Sequence, residues 1–158
     1  MFEILFLMNK FILLVQAVMI CLGAGLIGSI ATSQSVISWY PTLNKSFINP
    51  PSWLFAPVWT VLYIMMGFAL YYAWRSKKKV DLTWFWVQLG LNVIWSFLFF
   101  GLQNPWFAFY EIILLWVAIV LTIVAFWKPV RRSAYLLFPY LAWVSFASIL
   151  NLSIALIN

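Results

Sequence analysis

Residues 39–63 read WYPTLNKSFINPPSWLFAPVWTVLY, three tryptophans and four prolines set between two stretches of nearly unbroken hydrocarbon. A connector that did no more than return the chain across a membrane would be shorter, more polar and less aromatic. Pro41, Pro50, Pro51 and Pro57 deny this one a continuous helix and restrict the residues before them. Trp39, Tyr40, Phe47, Trp53 and Phe55 make it too apolar to stand free in water. It is therefore expected to fold back as a lid, residues 32–53, on one end of a helical bundle. Pro57 falls early enough in the following helix to take a first-turn position, where its missing N–H costs little.

On both sides of that stretch the composition describes a lipid-facing protein. Of 158 residues, 66% are hydrophobic, 21% aromatic and only 8% charged, against about a quarter charged in a soluble domain. A helix needs roughly 20 apolar residues to cross the hydrocarbon core. Five runs qualify: Phe11 to Ala31, Leu54 to Trp74, Leu82 to Leu102, Trp106 to Trp127 and Ala134 to Ile157. The expected fold class is thus an all-α integral membrane protein, a single five-transmembrane-helix domain over residues 1–158. The first run exceeds the 7 to 15 residues of a signal-peptide core and ends without an A-x-A site, so it is read as a retained helix. Gly25 with Ser29 and Ala24 with Gly28 form small-xxx-small pairs in it, which permit close helix packing or are simply tolerated in lipid.

Charge sets the expected direction. Arg75, Lys77, Lys78 and Lys79 follow the second span, Lys128, Arg131 and Arg132 follow the fourth, and Lys10 precedes the first. Five crossings put all of these on one side and Lys45 alone on the other. The positive-inside rule then places the N-terminus in the cytoplasm and the lid and C-terminus outside, in a membrane taken to be the bacterial cytoplasmic one. Basic residues at span ends account for the net charge of +6 without nucleic acid. The chain has no histidine and a single cysteine, Cys21. Zinc sites of His and Cys, His-ligated haem, Cys-His nucleophiles and intrachain disulfides are excluded by count, and no metal site is expected.

Trp74, Trp84, Trp86, Trp106 and Trp127 lie near span ends, as an interfacial aromatic belt requires. Trp95, Trp116 and Trp143 lie near the middle of theirs, and Trp59 one and a half turns into its own. Each needs another home for its indole N–H, because an unpaired donor in hydrocarbon is expensive. In the third span Gln88, Asn92, Trp95 and Phe99 recur along one helical face; in the second, Trp59, Tyr63 and Met66; in the fifth, Tyr140, Trp143, Ala147, Leu150 and Asn151. These stripes face the bundle, either to hydrogen-bond between helices, at about 0.6 kcal/mol each, or to line a cavity for a flat, mostly apolar ligand. Glu111, about five residues into the fourth span, is an acid in lipid and so a functional-site candidate; a structural bond to a neighbouring helix or to the lid is the other reading.

The strings WYPTLNKSFINPPSWLFAPVWTVLYIMMG, QLGLNVIWSFLFFG and LLFPYLAWVSFASILN, in that order, resemble the translocator protein or tryptophan-rich sensory protein family, once called peripheral-type benzodiazepine receptors. The resemblance spans almost the whole chain. It implies a five-helix bundle, usually a homodimer, whose cavity beneath the first long loop binds porphyrins such as protoporphyrin IX, haem, and isoquinoline carboxamide or benzodiazepine-type ligands. Trp59 in PVWTVLY, Asn92 in QLGLNVIW and Trp143 in PYLAWVSFA match the family's pocket positions; Tyr40 in WYPTL and Trp53 in PPSW match its lid aromatics, and an acid at the place of Glu111 is usual. Two departures stand out. Animal members carry a cholesterol-recognition segment with a Tyr and then an Arg after LN, where this chain has Leu152 and no later basic residue. Many bacterial members have proline directly after the lid lysine, where this chain has Ser46.

The expected ligand-binding set is Tyr40, Trp53, Trp59, Tyr63, Gln88, Asn92, Trp95, Phe99, Glu111, Trp143 and Ala147. A porphyrin receptor or sensor is the leading expectation, the porphyrin being ligand or substrate and no cofactor obligatory. Light-dependent degradation of protoporphyrin IX, with Trp59 and Trp143 as redox-active candidates, is the second. Transport is the third, although the chain shows no inverted repeat. No residue is assigned as catalytic.

Overall fold

The computed structural model describes residues 2–158, with side chains from Asn9 onward. The helices are α1 (Phe2–Ser38), α2 (Phe55–Trp74), α3 (Thr83–Ser96), α4 (Pro105–Trp127), α5 (Arg131–Leu136) and α6 (Phe138–Ile157). Five segments are long and apolar enough to cross a membrane: Asn9–Ser38, Ser52–Trp74, Thr83–Gly101, Pro105–Trp127 and Arg131–Ile157, the last being α5 and α6 together. No strand occurs among the described residues. Phe11, Ile30, Leu114 and Val124 stand exposed on the outside of the bundle, as a lipid-facing surface requires. The chain is an integral membrane protein of all-helical fold.

Several boundaries differ from the sequence reading. Residues 32–38, assigned there to the lid, continue α1. Two of their hydroxyls are satisfied without leaving the helix: Thr32 donates to Gly28 O at 3.1 Å and Ser38 to Gln34 O at 2.7 Å. No proline intervenes before Pro41, so the helix runs on. At the other end of the chain the fifth span begins at Arg131 and breaks at Leu137. Pro139 explains the break, since it has no N–H to give to Tyr135 and its ring opposes that carbonyl. α3 ends in one wide π turn, Phe97–Gly101, closed by Leu102 N donating to Phe97 O at 2.8 Å. α4 then starts at Pro105, with the side chain of Asn104 accepting from Phe107 N at 3.0 Å as its cap.

The course of α1 positions everything else. Its first half lies hard against α2, where a Cβ on Gly67 would come within 2.6 Å of Val18 Cα. Farther on, Gly25 meets the ring of Tyr63. Beyond that α1 crosses to α3: Gly28 faces Ser96, and Ser35 Oγ donates to Phe100 O at 2.7 Å, capping a carbonyl of the π turn. α2 and α1 therefore part as they approach the connector 39–54.

That connector is built from two short 3₁₀ turns, Tyr40–Thr42 and Ser52–Leu54, with a tight turn between them closed by Asn49 N on Ser46 O at 3.0 Å. Asn44 N donates to Asn158 Oδ1 at 2.9 Å, and Asn158 Nδ2 returns a bond to Asn44 O at 3.0 Å. The folded-back connector is thus tied to the far end of α6.

Candidate functional site

Where α1 leaves α2, the lid-end halves of α1, α2, α3 and α6 line a partly open cavity of about 520 Å³, within the range of small-molecule sites. At its inner limit, the O–H of Tyr63 donates to Asn92 Oδ1 and Asn92 Nδ2 donates to Tyr140 Oη at 2.7 Å. This links α2, α3 and α6 by one buried amide, leaving Asn92 a second N–H for a guest. Trp59 sits above, 5.8 Å from the ring of Tyr63 and 6.2 Å from that of Tyr140. Trp143 and Ala147 form the α6 wall, with Phe55 set edge-on to Trp143 at 6.0 Å.

The α3 wall is Trp95 stacked on Phe99, ring centres 5.1 Å apart and 18° from parallel. Trp95 Nε1 donates to Asn151 Oδ1 at 3.1 Å, and Asn151 Nδ2 donates to Pro105 O at 2.7 Å. Tyr40 is the roof. It is 4% exposed, packs against Phe55, Phe99 and Phe100, and its O–H donates to Asn49 Oδ1 at 3.0 Å. Burial pushes its phenol above the ordinary range, which keeps it a neutral donor.

Eight of the eleven expected residues therefore surround one space: Tyr40, Trp59, Tyr63, Asn92, Trp95, Phe99, Trp143 and Ala147. Three do not. Trp53 is 71% exposed and faces away. It occupies the middle of the turn Ser52–Leu54, whose three residues per revolution send it outward while Ser52 and Phe55 reach the cavity. Gln88 is fully buried but lies one helical turn below Asn92, beneath the Tyr63–Asn92–Tyr140 layer, and both its polar atoms lack partners. Glu111 is buried on α4, a helix that gives no residue to the cavity wall. Both its carboxylate oxygens lack partners, so the structural bond to a helix or the lid is not formed either.

The mid-span indoles meet different fates. Trp95 and Trp116 find acceptors, Trp116 donating to Ser145 Oγ at 2.8 Å. The indole nitrogen of Trp143 is buried with no acceptor. The α1 wall, Leu22, Gly25, Leu26, Ser29, Thr32 and Val36, was not anticipated as part of a site. Its spacing of three and four is visible in the sequence, where Gly25 and Ser29 read as permitting close helix packing or as simply tolerated in lipid.

Among the described residues, none that is charged at neutral pH lines the cavity. Aromatic faces, one buried amide and a few hydroxyls can hold and orient a flat apolar guest, but they offer no charged acid–base pair and no paired nucleophile. The fold and this space define a class, a five-helix integral membrane protein with a ligand-sized aromatic cavity under a folded loop. Residues 17–157 match the model of the TspO/MBR family, and the chain belongs to that family. It is 47% identical to Tryptophan-rich protein TspO of Archaeoglobus fulgidus, over 92% of this chain and 96% of that one. It is 46% identical to Tryptophan-rich protein TspO of Chlorobaculum tepidum, over 96% and 99%. With the human Translocator protein the identity is 35%, over 79% and 78%.

Proposed function

We propose that the protein is a membrane receptor or sensor whose cavity binds porphyrins, protoporphyrin IX and haem among them, together with flat drug-like ligands of the isoquinoline carboxamide and benzodiazepine types. The observation that supports this most is the convergence of Trp59, Asn92 and Trp143, from three helices, on one space. A tetrapyrrole ring would lie against the indoles, with the spare N–H of Asn92 fixing its rotation. The basic end then faces the cytoplasm and the lid faces outward, and two copies pair as a homodimer. Titrating protoporphyrin IX against tryptophan fluorescence in nanodiscs tests the reading. Quenching beyond that of free tryptophan, weakened in Asn92→Ala and Trp143→Phe, is the expected result; quenching equal to free tryptophan ends the idea.

A second reading, light-dependent degradation of the porphyrin, is favoured by one observation, that Trp59 and Trp143 reach the same cavity. Both would lie beside an excited ring in the presence of oxygen. Under illumination the bound porphyrin should then lose its absorption faster than free porphyrin, and Trp59→Phe with Trp143→Phe should abolish the difference. Equal bleaching of bound and free porphyrin leaves binding alone.

A further inference from the structure

At the end of the bundle opposite the cavity, three rings from three helices meet on the outside. The short α5 is held against α2, Ser133 Oγ donating to Ala69 O at 2.7 Å, and the break at Leu137 then starts α6 beside the end of α4. Trp127 lies 5.6 Å from Tyr135 and 6.3 Å from Phe138, and those two rings are 6.2 Å apart. The three side chains are 37%, 56% and 43% exposed in that order, so the cluster belongs to the surface and not to the core. Over the Trp127 ring, 5.7 Å from its centre, lies the guanidinium of Arg131. It makes no hydrogen bond and no ion pair among the described residues. Arg75 is different: its guanidinium also lies over a ring, that of Tyr71, but donates to the hydroxyl of the same residue at 2.8 Å.

An interfacial belt accounts for the three rings, but not for a cation held on one of them with all five N–H donors free. An aromatic face fixes the plane of a guanidinium and leaves its donating edge open, which suits a two-pronged bond to phosphate. The surrounding charge favours an anion. The connectors 75–82 and 128–132 carry seven basic residues and one acid, Asp81, whose carboxylate already accepts from Thr83 N at 2.9 Å. Lys128 and Arg132, next in the chain to Trp127 and Arg131 and both exposed, would repel the choline of a zwitterionic lipid. We propose that Arg131 and the cluster of Trp127, Tyr135 and Phe138 form a binding site for an anionic phospholipid of the phosphatidylglycerol kind. The guanidinium takes the phosphate, and the rings take the glycerol and the first acyl carbons. Free phosphate has no apolar part to lay on three exposed rings. The site lies apart from the cavity and does not depend on what the cavity holds.

Native mass spectrometry of the full chain, released from micelles holding phosphatidylglycerol and phosphatidylcholine in equal amounts, reads the lipid retained. The wild type should keep phosphatidylglycerol in preference. Arg131→Gln should weaken that binding about fivefold, the worth of one basic residue at an anionic surface, with its Tm in phosphatidylcholine unchanged. Arg131→Lys should recover only part of the loss, because an ammonium is a point charge without the fork. Trp127→Leu, which keeps every charge, should weaken phosphatidylglycerol about threefold. The triple variant Lys77→Gln, Lys78→Gln, Lys79→Gln removes three charges and should still cost less than Arg131→Gln alone. A triple variant that costs as much or more, or full recovery in Arg131→Lys, would reduce the effect to net charge and overturn the proposal. Trp127→Leu with wild-type retention overturns it by removing the rings from the site, and so does a wild type that keeps both lipids equally. Displacement of the lipid by inorganic phosphate, against chloride at the same ionic strength, would make free phosphate the ligand and overturn it too.

Discussion

The two ends of the bundle use the same helices to opposite effect. Toward the basic end the interior is solid: Phe85 stacks on Phe126 at 6.1 Å, and Met66, Leu70 and Leu137 are fully buried. Toward the lid end the same α1, α2, α3 and α6 surround about 520 Å³ of open space. Residue size is not the reason, since large aromatics crowd the hollow end. The difference is set by α1, pressed onto α2 at Gly67 and drawn over to α3 at Gly28 and Ser35. Close approach at one end and divergence at the other produce a wedge, and Tyr40 and Ser52 of the folded connector line its wide side.

Gly67→Ala should break this contrast most severely. Its Cβ would stand 2.6 Å from Val18 Cα, a backbone atom that cannot turn aside. A loss of about 2 kcal/mol is expected, read as a fall in the Tm measured by circular dichroism in detergent; an unchanged Tm would mean that α1 and α2 do not meet there. Asn92→Ala acts at the boundary between the halves. It strips a partner from both Tyr63 and Tyr140 and should lower stability by about 1 kcal/mol and porphyrin affinity by about tenfold, seen in paired melting and quenching experiments.

Trp143→Phe should separate the two quantities. It removes an indole N–H that has no acceptor, so stability should hold or rise slightly, while the lost ring area weakens porphyrin binding by about threefold. Trp53→Ala should do least. With that side chain 71% exposed and outside the cavity, both Tm and affinity should stay within about 0.5 kcal/mol of wild type. A large loss of affinity there would show that Trp53 turns inward over a guest.

The fold is legible because lipid leaves the chain few choices: a run of some 20 apolar residues must be a helix, and the cluster Pro41, Pro50 and Pro51 marks where no helix continues. The end of α1 was misjudged because Thr32, Ser35 and Ser38 look like connector residues. Their hydroxyls are served by carbonyls of α1 itself and of the π turn. Helical periodicity also found Asn92, Trp95 and Phe99, since it reports which residues share a face. It does not report depth along that face, and Gln88 sits on the same stripe beneath the cavity floor. Nor does it say which neighbour a face meets, so Glu111 could not be placed behind the wall rather than in it. The α1 wall escaped for a related reason, because Leu22 and Leu26 are the residues that a lipid-facing helix would also carry.

Filling the hollow tests most directly whether it holds the ligand. Ala147 lies on its α6 wall and is buried, so Ala147→Phe would place a ring in the space while leaving the solid half untouched. With helical content equal to wild type by circular dichroism, the variant should lose saturable quenching by protoporphyrin IX. Quenching with wild-type affinity and amplitude in that variant would place the porphyrin elsewhere on the protein.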